Sequence, residues 1–418
     1  MNKAAIVILD GLGDRPQTTL NGLTPLEAAR TPNLDALVKR GMCGMVDPLS
    51  PGMPVGTQTG AGLLMGMDPN DVHKLSRGIV ESAGVNLNVK PGDIAIRCNF
   101  ATIKKVADGW SILDRRAGRI REETKALASA LDGLDLGNGI TASFEAATQH
   151  RAVLKLSGSG LTDEISDTDP GSASQNPTFQ ACFPLNAREG SGERTAAAIN
   201  SFFKISHDIL QSHTINKQRS AKGLMPANAV LCRGAGQGRH VKNIINRFGF
   251  TASVIAGELT ILGLARLFNF NPITSPTFTS SADTDIHGKI KSTIQALNQS
   301  DLAFLHIKAP DIFSHDIDPI GKSRFLEKMD GELGPLLEQN IVIGISADHS
   351  TDSRTGNHTG DPVPSIIFNP HGRRDSIQTF GESSCMQGGI GRILSHQFLL
   401  SVLDAVGLIS NYRPSIWT

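Results

Sequence analysis

Short all-apolar runs alternate along the chain with segments of helical spacing. The first run is Ala4–Leu9 (AAIVIL), ended by Asp10-Gly11. A run with no polar alternation reads as a central parallel strand, buried on both faces. Thr24-Pro25 and Thr31-Pro32 each put a cap residue before a proline at the first helical position. Two short helices are therefore predicted, the second stopped by Gly41. A Gly/Pro-rich loop, SPGMPVGTQTGAG, fills 50–62 and leads into a short helical pattern at Thr59–Met65. From about 228 the buried runs return: AVLC (229–232), SVIA (253–256), LAFLHI (302–307), IVIGIS (341–346) and SIIF (365–368). Helical patterns separate several of them, so the spacing predicts an α/β sheet.

The middle of the chain has a different character. It holds Arg97, the basic run Asp114-Arg115-Arg116-Ala117-Gly118-Arg119-Ile120-Arg121, and a strand with a polar start, His150-Arg151-Ala152-Val153-Leu154. The stretch SDTDPGSASQNP (166–177) reads as loop, and Thr195 to about Ser212 has helical spacing. The simplest organisation is one discontinuous α/β domain, 1–68 and 228–418, with a second domain inserted at 69–227.

Composition narrows the function classes. The 418 residues carry 40 Lys+Arg against 40 Asp+Glu, a net charge of zero that argues against a nucleic-acid coat or a polybasic membrane binder. No apolar run reaches the roughly 18 residues of a membrane span. The N-terminal apolar stretch stops at Asp10, which does not suit a secretory signal. Five scattered cysteines with no C-x-x-C fit neither a disulfide framework nor a structural zinc site. A cytoplasmic enzyme is expected, with no nucleic-acid or membrane partner. The sequence assigns no oligomeric state.

The candidate chemistry lies just beyond the strand ends. Asp10 follows AAIVIL, Asp311 and His315 follow LAFLHIKAP, and Asp348 and His349 follow IVIGISA. His358 stands nine residues past His349, in GNHTGDPVP. Ligands of open parallel sheets bind outside the carboxyl ends of strands, so the topology brings these groups together. Clustered carboxylates repel, so something cationic should sit among them. Carboxylate plus imidazole suits Zn²⁺ or Mn²⁺, with Mg²⁺ less favoured. Six such groups exceed one tetrahedral site. Two metals about 3.5–4 Å apart fit better and point to phosphoryl chemistry. Taken singly, each Asp also fits a helix cap or turn residue, and each His a structural one.

Thr57 is the candidate nucleophile. A hydroxyl at a helix N-terminus faces free N–H groups and suits a phosphate, and a nearby metal would lower its pKa. The local sequence fits a simple helix cap equally well. Arg97, Arg115, Arg116, Arg119, Arg151 and Arg233 could clamp a small dianion through bidentate guanidinium contacts, or form a solvated charged face. CRGAGQGR (232–239) puts Arg239 where a dinucleotide loop needs its third glycine, so it reads as a tight turn or an anion contact.

The motifs together resemble a known family over nearly the whole chain. They are IVILDGLGDRP (6–16), LTPLEAARTPNLDALVKRG (23–41), the loop before LLMGMDP (63–69), GDIAIRCNFAT (92–102), DRRAGRI (114–120), HRAVLKL (150–156), ISDTDP (165–170), GLMPANAVLCRGAG (223–236), FLHIKAPDIFSHD (304–316) and SADHSTDSRTGNHTGDPVP (346–364). The chain resembles the archaeal type of cofactor-independent phosphoglycerate mutase, a branch of the alkaline phosphatase superfamily. The resemblance implies an alkaline-phosphatase-like three-layer core sheet with a smaller inserted α/β (α+β) substrate domain. It implies two metals, often Mn²⁺ or Zn²⁺. Asp311, His315 and His358 would hold one, and Asp10, Thr57, Asp348 and His349 the other. The inserted domain's clamp would be His150, Arg151, Arg115, Arg116 and Arg119, with Arg97 and Arg233 beside them.

Some positions depart from the family pattern. Its nucleophile is usually Ser rather than Thr57, and Gln58 stands where Asp is common. The sequence after it, TGAGLL, lacks the usual His. DTDPH ends here in Gly171, and Leu262 replaces an expected Lys. The metal ligands stay intact, while the phosphate surroundings change. The expected activity is a phosphomutase interconverting 2- and 3-phosphoglycerate, or a close analogue, through a phosphothreonine, with domain closure excluding water. The alternatives are a phosphohydrolase or a mutase for a phosphonate or other phospho-carboxylate, and a non-catalytic binding protein on the same fold.

Overall fold

The computed structural model describes residues 3–107, 109–171, 178–186 and 190–409. The last six residues of the polar stretch 166–177 lie outside the described residues. Contacts divide the chain into two units, 1–72 with 241–418, and 73–240.

The first unit is built on an eight-stranded sheet. Its strand order is Asn271–Ile273, Ala252–Ile255, Leu302–Ile307, Ala4–Leu9, Val342–Ser346, Val363–Phe368, Met42–Asp47, Gly391–Leu394. The first five strands are mutually parallel, with Ala4 opposite Leu302 on one side and Val342 on the other. Val363–Phe368 runs antiparallel to both of its neighbours, although SIIF alone gave no hint of direction. Ala4–Leu9 and Leu302–Ile307 are buried at every position, as a strand covered on both faces must be. One group of helices, Pro32–Arg40, Ile286–Ala296 and Pro319–Glu332, packs together and onto this sheet. A second group, Thr57–Leu64, Leu259–Leu267 and Ser395–Ala405, forms the other layer. Pro25–Ala28 and Pro32–Arg40 begin and end as the Thr-Pro pairs and Gly41 predict, and Thr24 forms a full capping box with Glu27.

The second unit is antiparallel. Ile94–Val106 is its long central strand, paired with Arg151–Ser157 on one side and Ala229–Gln237 on the other, while its far end forms a hairpin with Gly109–Asp114. Ile94, Ile96, Cys98 and Phe100 point into a core with Phe144, Leu154 and Phe202. Arg97 and Asn99 therefore take the opposite face, by the two-residue period of a strand.

This pairing corrects the expected boundary at 228. The run AVLC belongs to the inserted unit, because Cys232 lies opposite Cys98 in the second sheet. An apolar run reads alike in either sheet, and only its pairing partner distinguishes them. CRGAGQGR is also no tight turn. The strand continues to Gln237, and its register shifts where two residues, Gly234 and Ala235, stand opposite one. Gly234 has φ +61°, so the glycine permits a bulge inside a strand.

Candidate active site

Asp10 stands one residue past Ala4–Leu9, and Asp348 and His349 follow Val342–Ser346, so adjacent parallel strands deliver all three side by side. Asp311 and His315 lie four apart on helix Ala309–His315, on one face. His358 comes from the hairpin Ser350–Asp352 and Asn357–Thr359. The fold gathers these six groups into two sets. In each of Asp10–Asp348–His349 and Asp311–His315–His358, one ligand atom per residue lies within 4.8 Å of the others.

Tautomers and orphaned atoms test whether a cation fits. His315 Nδ1 lies 2.7 Å from the Gly356 carbonyl, and His358 Nδ1 2.8 Å from the Val55 carbonyl. A carbonyl accepts only, so each Nδ1 carries the proton and donates, which leaves the Nε2 lone pairs free. Those two Nε2 atoms face each other at 3.3 Å, with Asp311 oxygens 3.2 and 3.6 Å away. Two lone pairs and a carboxylate converging on one point call for a cation. In the other set, Oδ2 of the wholly buried Asp348 accepts no hydrogen bond among the described residues, and His349 Nε2 lies 3.3 Å from it. The donor set and its unfilled acceptors fit a divalent metal at each group.

The electrostatics reflect crowded acids and bases. Burial, then repulsion from Asp10, pushes Asp348 up to about 6. Burial acts to raise Asp10 as well, but Lys308 and hydrogen bonds from His306 and His349 outweigh it and hold this carboxyl well below the usual range. His349 rises to about 9, because Asp348 and Asp10 outweigh its burial.

Thr57 is the first residue of helix Thr57–Leu64, and Gly56 occupies the cap position. The threonine is therefore not the cap. Its Oγ1 instead lies 3.3 Å from His349 Nε2, 3.5 Å from Asp10 Oδ2 and 3.2 Å from Lys308 Nζ.

Sequence reasoning missed Lys308 and His306. Lys308 Nζ contacts both oxygens of Asp10 at 3.0 Å and Asp311 Oδ2 at 2.7 Å. His306 is buried in the strand and donates from Nε2 to Asp10 Oδ2 at 2.9 Å. The requirement for a cation among the carboxylates was the signal for Lys308. His306 was hidden inside an otherwise apolar run.

The inserted unit holds a cavity of about 510 Å³ lined by Arg97, Arg115, Arg116, His150, Arg151 and Arg233, together with Asn99 and Gly171. Arg119 is exposed and lies outside this lining. Arg97 and Arg233 are directly opposed across the sheet, an unfavourable like-charge pair without an anion. Arg97 is 4 % exposed and its Nε has no partner among the described residues, although its guanidinium reaches Glu81 at 3.3 Å. Burial pushes Arg97 down to about 10 against the pull of Glu81, helped by Arg77, Arg233 and Arg151. Arg115 is held bidentately by Asp169, at 2.6 Å on both oxygens. Burial, then Arg151, Arg116 and Arg97, pushes His150 down to about 4, so it is a neutral imidazole near pH 7. Among the described residues, Asn99 Oδ1 and His150 Nδ1 are buried without partners. The lining therefore offers cations together with neutral polar groups suited to hydroxyls.

A family model described as 2,3-bisphosphoglycerate-independent phosphoglycerate mutase matches residues 38–216. A relative of that name from Archaeoglobus fulgidus is 38 % identical over 412 residues, covering 97 % of this chain and 98 % of its own. The chain belongs to the 2,3-bisphosphoglycerate-independent phosphoglycerate mutase family. Among solved structures, a protein from Pyrococcus horikoshii superposes with TM-score 0.82 at 30 % identity, covering 99 % of both chains. The cofactor-independent phosphoglycerate mutase of Thermoplasma acidophilum gives 0.73 at 30 % identity, covering 97 % of this chain and all of its own. The chain is an isomerase-family enzyme with the α/β fold of these archaeal structures.

The departures noted in the sequence now have places. Leu262 is buried in helix Leu259–Leu267, so it adds to the core and brings no charge. Lys308 supplies the positive charge beside Thr57. Gly171 lines the arginine cavity, and among the described residues a Cβ there would meet nothing within 4 Å.

Proposed function

We propose that the protein interconverts 2-phosphoglycerate and 3-phosphoglycerate through a phosphothreonine at Thr57, in the cytoplasm. The observation that carries this reading is the placement of Thr57 Oγ1, free of any capping role and aimed at Asp10, His349 and Lys308. Asp311, His315 and His358 would hold one divalent metal, and Asp10, Thr57, Asp348 and His349 the other. Mn²⁺ or Zn²⁺ suits the imidazoles better than Mg²⁺. When bound, the pair supplies Lewis-acid charge to the phosphoryl oxygens and lowers the hydroxyl's pKa.

The chain's own groups do the rest. The helix N-terminus at Thr57 presents backbone N–H groups to the phosphoryl oxygens. Asp10, fixed by His306, accepts from the hydroxyl and aims it. Arg97, Arg116, Arg151 and Arg233 bind the substrate carboxylate, and neutral His150 with Asn99 takes the hydroxyls. Arg115 reaches the cavity as a braced wall through Asp169. Arg119, which the resemblance placed in the clamp, would act from outside the lining.

Incubation of the Mn²⁺-loaded protein with 3-phosphoglycerate, followed by phosphorus NMR, tests the reading. The 2-phospho isomer is expected, and Thr57→Ala should lose at least about a thousandfold in rate. Full turnover by Thr57→Ala would sink the mechanism. Free phosphate would instead mark a hydrolase. Turnover only of a bulkier phospho-carboxylate would point to the space at Gly171.

A further inference from the structure

Lys308 is the last residue before helix Ala309–His315 and the first after strand Leu302–Ile307. Its side chain is 17 % exposed. An ammonium has three N–H donors and no acceptor. Here all three have destinations. One is shared by the two oxygens of Asp10 at 3.0 Å, one goes to Asp311 Oδ2 at 2.7 Å, and the third goes to Thr57 Oγ1 at 3.2 Å. One side chain thus touches a member of each carboxylate–imidazole set and the hydroxyl between them.

A counterion would need only the carboxylates. The third donor is aimed at a neutral hydroxyl oxygen, which gains from it chiefly when that oxygen carries charge. With Lys308 donating to Oγ1, the threonine proton must point elsewhere, and Asp10 Oδ2, 3.5 Å away, is the acceptor in reach. The lysine therefore also fixes the rotamer from which the hydroxyl loses its proton.

We propose that Lys308 is a catalytic residue whose ammonium holds the Thr57 oxygen, and the phosphoryl group on it, through transfer. This rests on the phosphothreonine reading above. In the first half-reaction the Thr57 Oγ–P bond forms as the substrate's ester O–P bond breaks. The threonine proton ends on the departing glycerate hydroxyl. In the second half-reaction the other glycerate hydroxyl takes the phosphoryl group, and a proton returns to Thr57. Lys308 stays an ammonium throughout and transfers no proton. A fixed, largely desolvated donor aimed at developing charge typically contributes on the order of 10²–10³ in rate.

The test compares Mn²⁺-loaded wild type with K308M, K308A and K308R. Isomerisation of 3-phosphoglycerate is followed by phosphorus NMR, Mn²⁺ binding by calorimetry, and folding by thermal melting. For K308M, kcat should fall on the order of 10²–10³ with KM changed less than about threefold. Its Mn²⁺ affinity should equal or exceed wild type, because a competing cation has left the carboxylates. Ethylammonium should restore K308A by at least about tenfold, and K308R should retain more activity than K308M. A K308M kcat within about threefold of wild type would overturn the assignment. So would loss of Mn²⁺ binding in step with activity, since that marks a scaffold role. Should K308M fail to fold, the rescue of K308A decides, and a folded K308A without rescue rejects the proposal. A wild type that forms no isomer overturns the proposed function itself. An active wild type matched by K308M overturns only the role of Lys308.

Discussion

Lys322 lies entirely inside the first unit, with its Nζ 2.8 Å from both the Gly11 carbonyl and Asp14 Oδ2. It also reaches the Thr351 carbonyl at 3.5 Å, so one ammonium ties the turn after Asp10 to the strand after His349. Asp14 is further held by the backbone N–H of Ser353 at 3.0 Å and by the Ser353 hydroxyl. Breaking a buried pair leaves one charge uncompensated, at about 3–5 kcal/mol, whereas removing both partners is far milder. Lys322→Met should therefore lose about 3–5 kcal/mol in urea melts, and adding Asp14→Asn should recover part of it. Simple additivity of the two losses would mean that the pair is not coupled. At this scale the sequence disclosed the residues that punctuate strand ends, because an Asp or His after an apolar run breaks a pattern. It concealed Lys308, His306 and Lys322. Each has a partner about 300 residues away, Asp10 for His306 and Lys308 and Gly11 for Lys322, and no local spacing records those contacts.

Helix Thr57–Leu64 approaches the Asp348 loop closely, which sets Thr57 beside Asp10 and His349, and Gly60 marks the contact. A Cβ on Gly60 would overlap the Asp348 carbonyl, which is backbone and cannot swing aside as a side chain would. Gly60→Ala should push the helix and the loop apart. The expected loss is about 1–3 kcal/mol of stability together with weaker Mn²⁺ binding, read by melting and calorimetry. Unchanged Mn²⁺ affinity in a folded variant would show that the two elements are not coupled there. The stretch 50–62 reads as a Gly/Pro-rich loop, but from Thr57 on it is helix, and Gly60 sits inside that helix where it meets the Asp348 backbone. Elements with internal signatures were legible, as with the helices after Thr24-Pro25 and Thr31-Pro32. Direction and sheet membership were not. Val363–Phe368 runs antiparallel, and Ala229–Gln237 joins the second sheet, because a buried apolar run carries no mark of its neighbour.

The net charge of zero conceals two local excesses, the carboxylates Asp10, Asp311 and Asp348 in one unit and the arginines of the 510 Å³ cavity in the other. Each unit also has the means to fold separately. In the first unit, the chain leaves and re-enters side by side. Asp68 N–H donates to the Lys242 carbonyl at 3.0 Å, and Lys242 N–H to Asp71 Oδ2 at 2.9 Å. The segment between is contiguous, with its own six-stranded sheet and its own core around Phe100, Phe144 and Phe202. At 168 residues (73 to 240 inclusive) it lies within the ordinary size range of domains, large enough to bury a core of its own. The fragment His73–His240, expressed alone, should therefore melt cooperatively by circular dichroism. Every cavity-lining residue lies within it, so it should bind 3-phosphoglycerate in calorimetry with no added metal. It lacks Thr57 and both carboxylate–imidazole sets, so it should neither isomerise nor hydrolyse the compound. Binding should weaken as salt rises, since opposite charges carry it, and Arg97→Met should abolish most of it. A folded fragment that ignores 3-phosphoglycerate would mean that the clustered arginines do not by themselves form the carboxylate site.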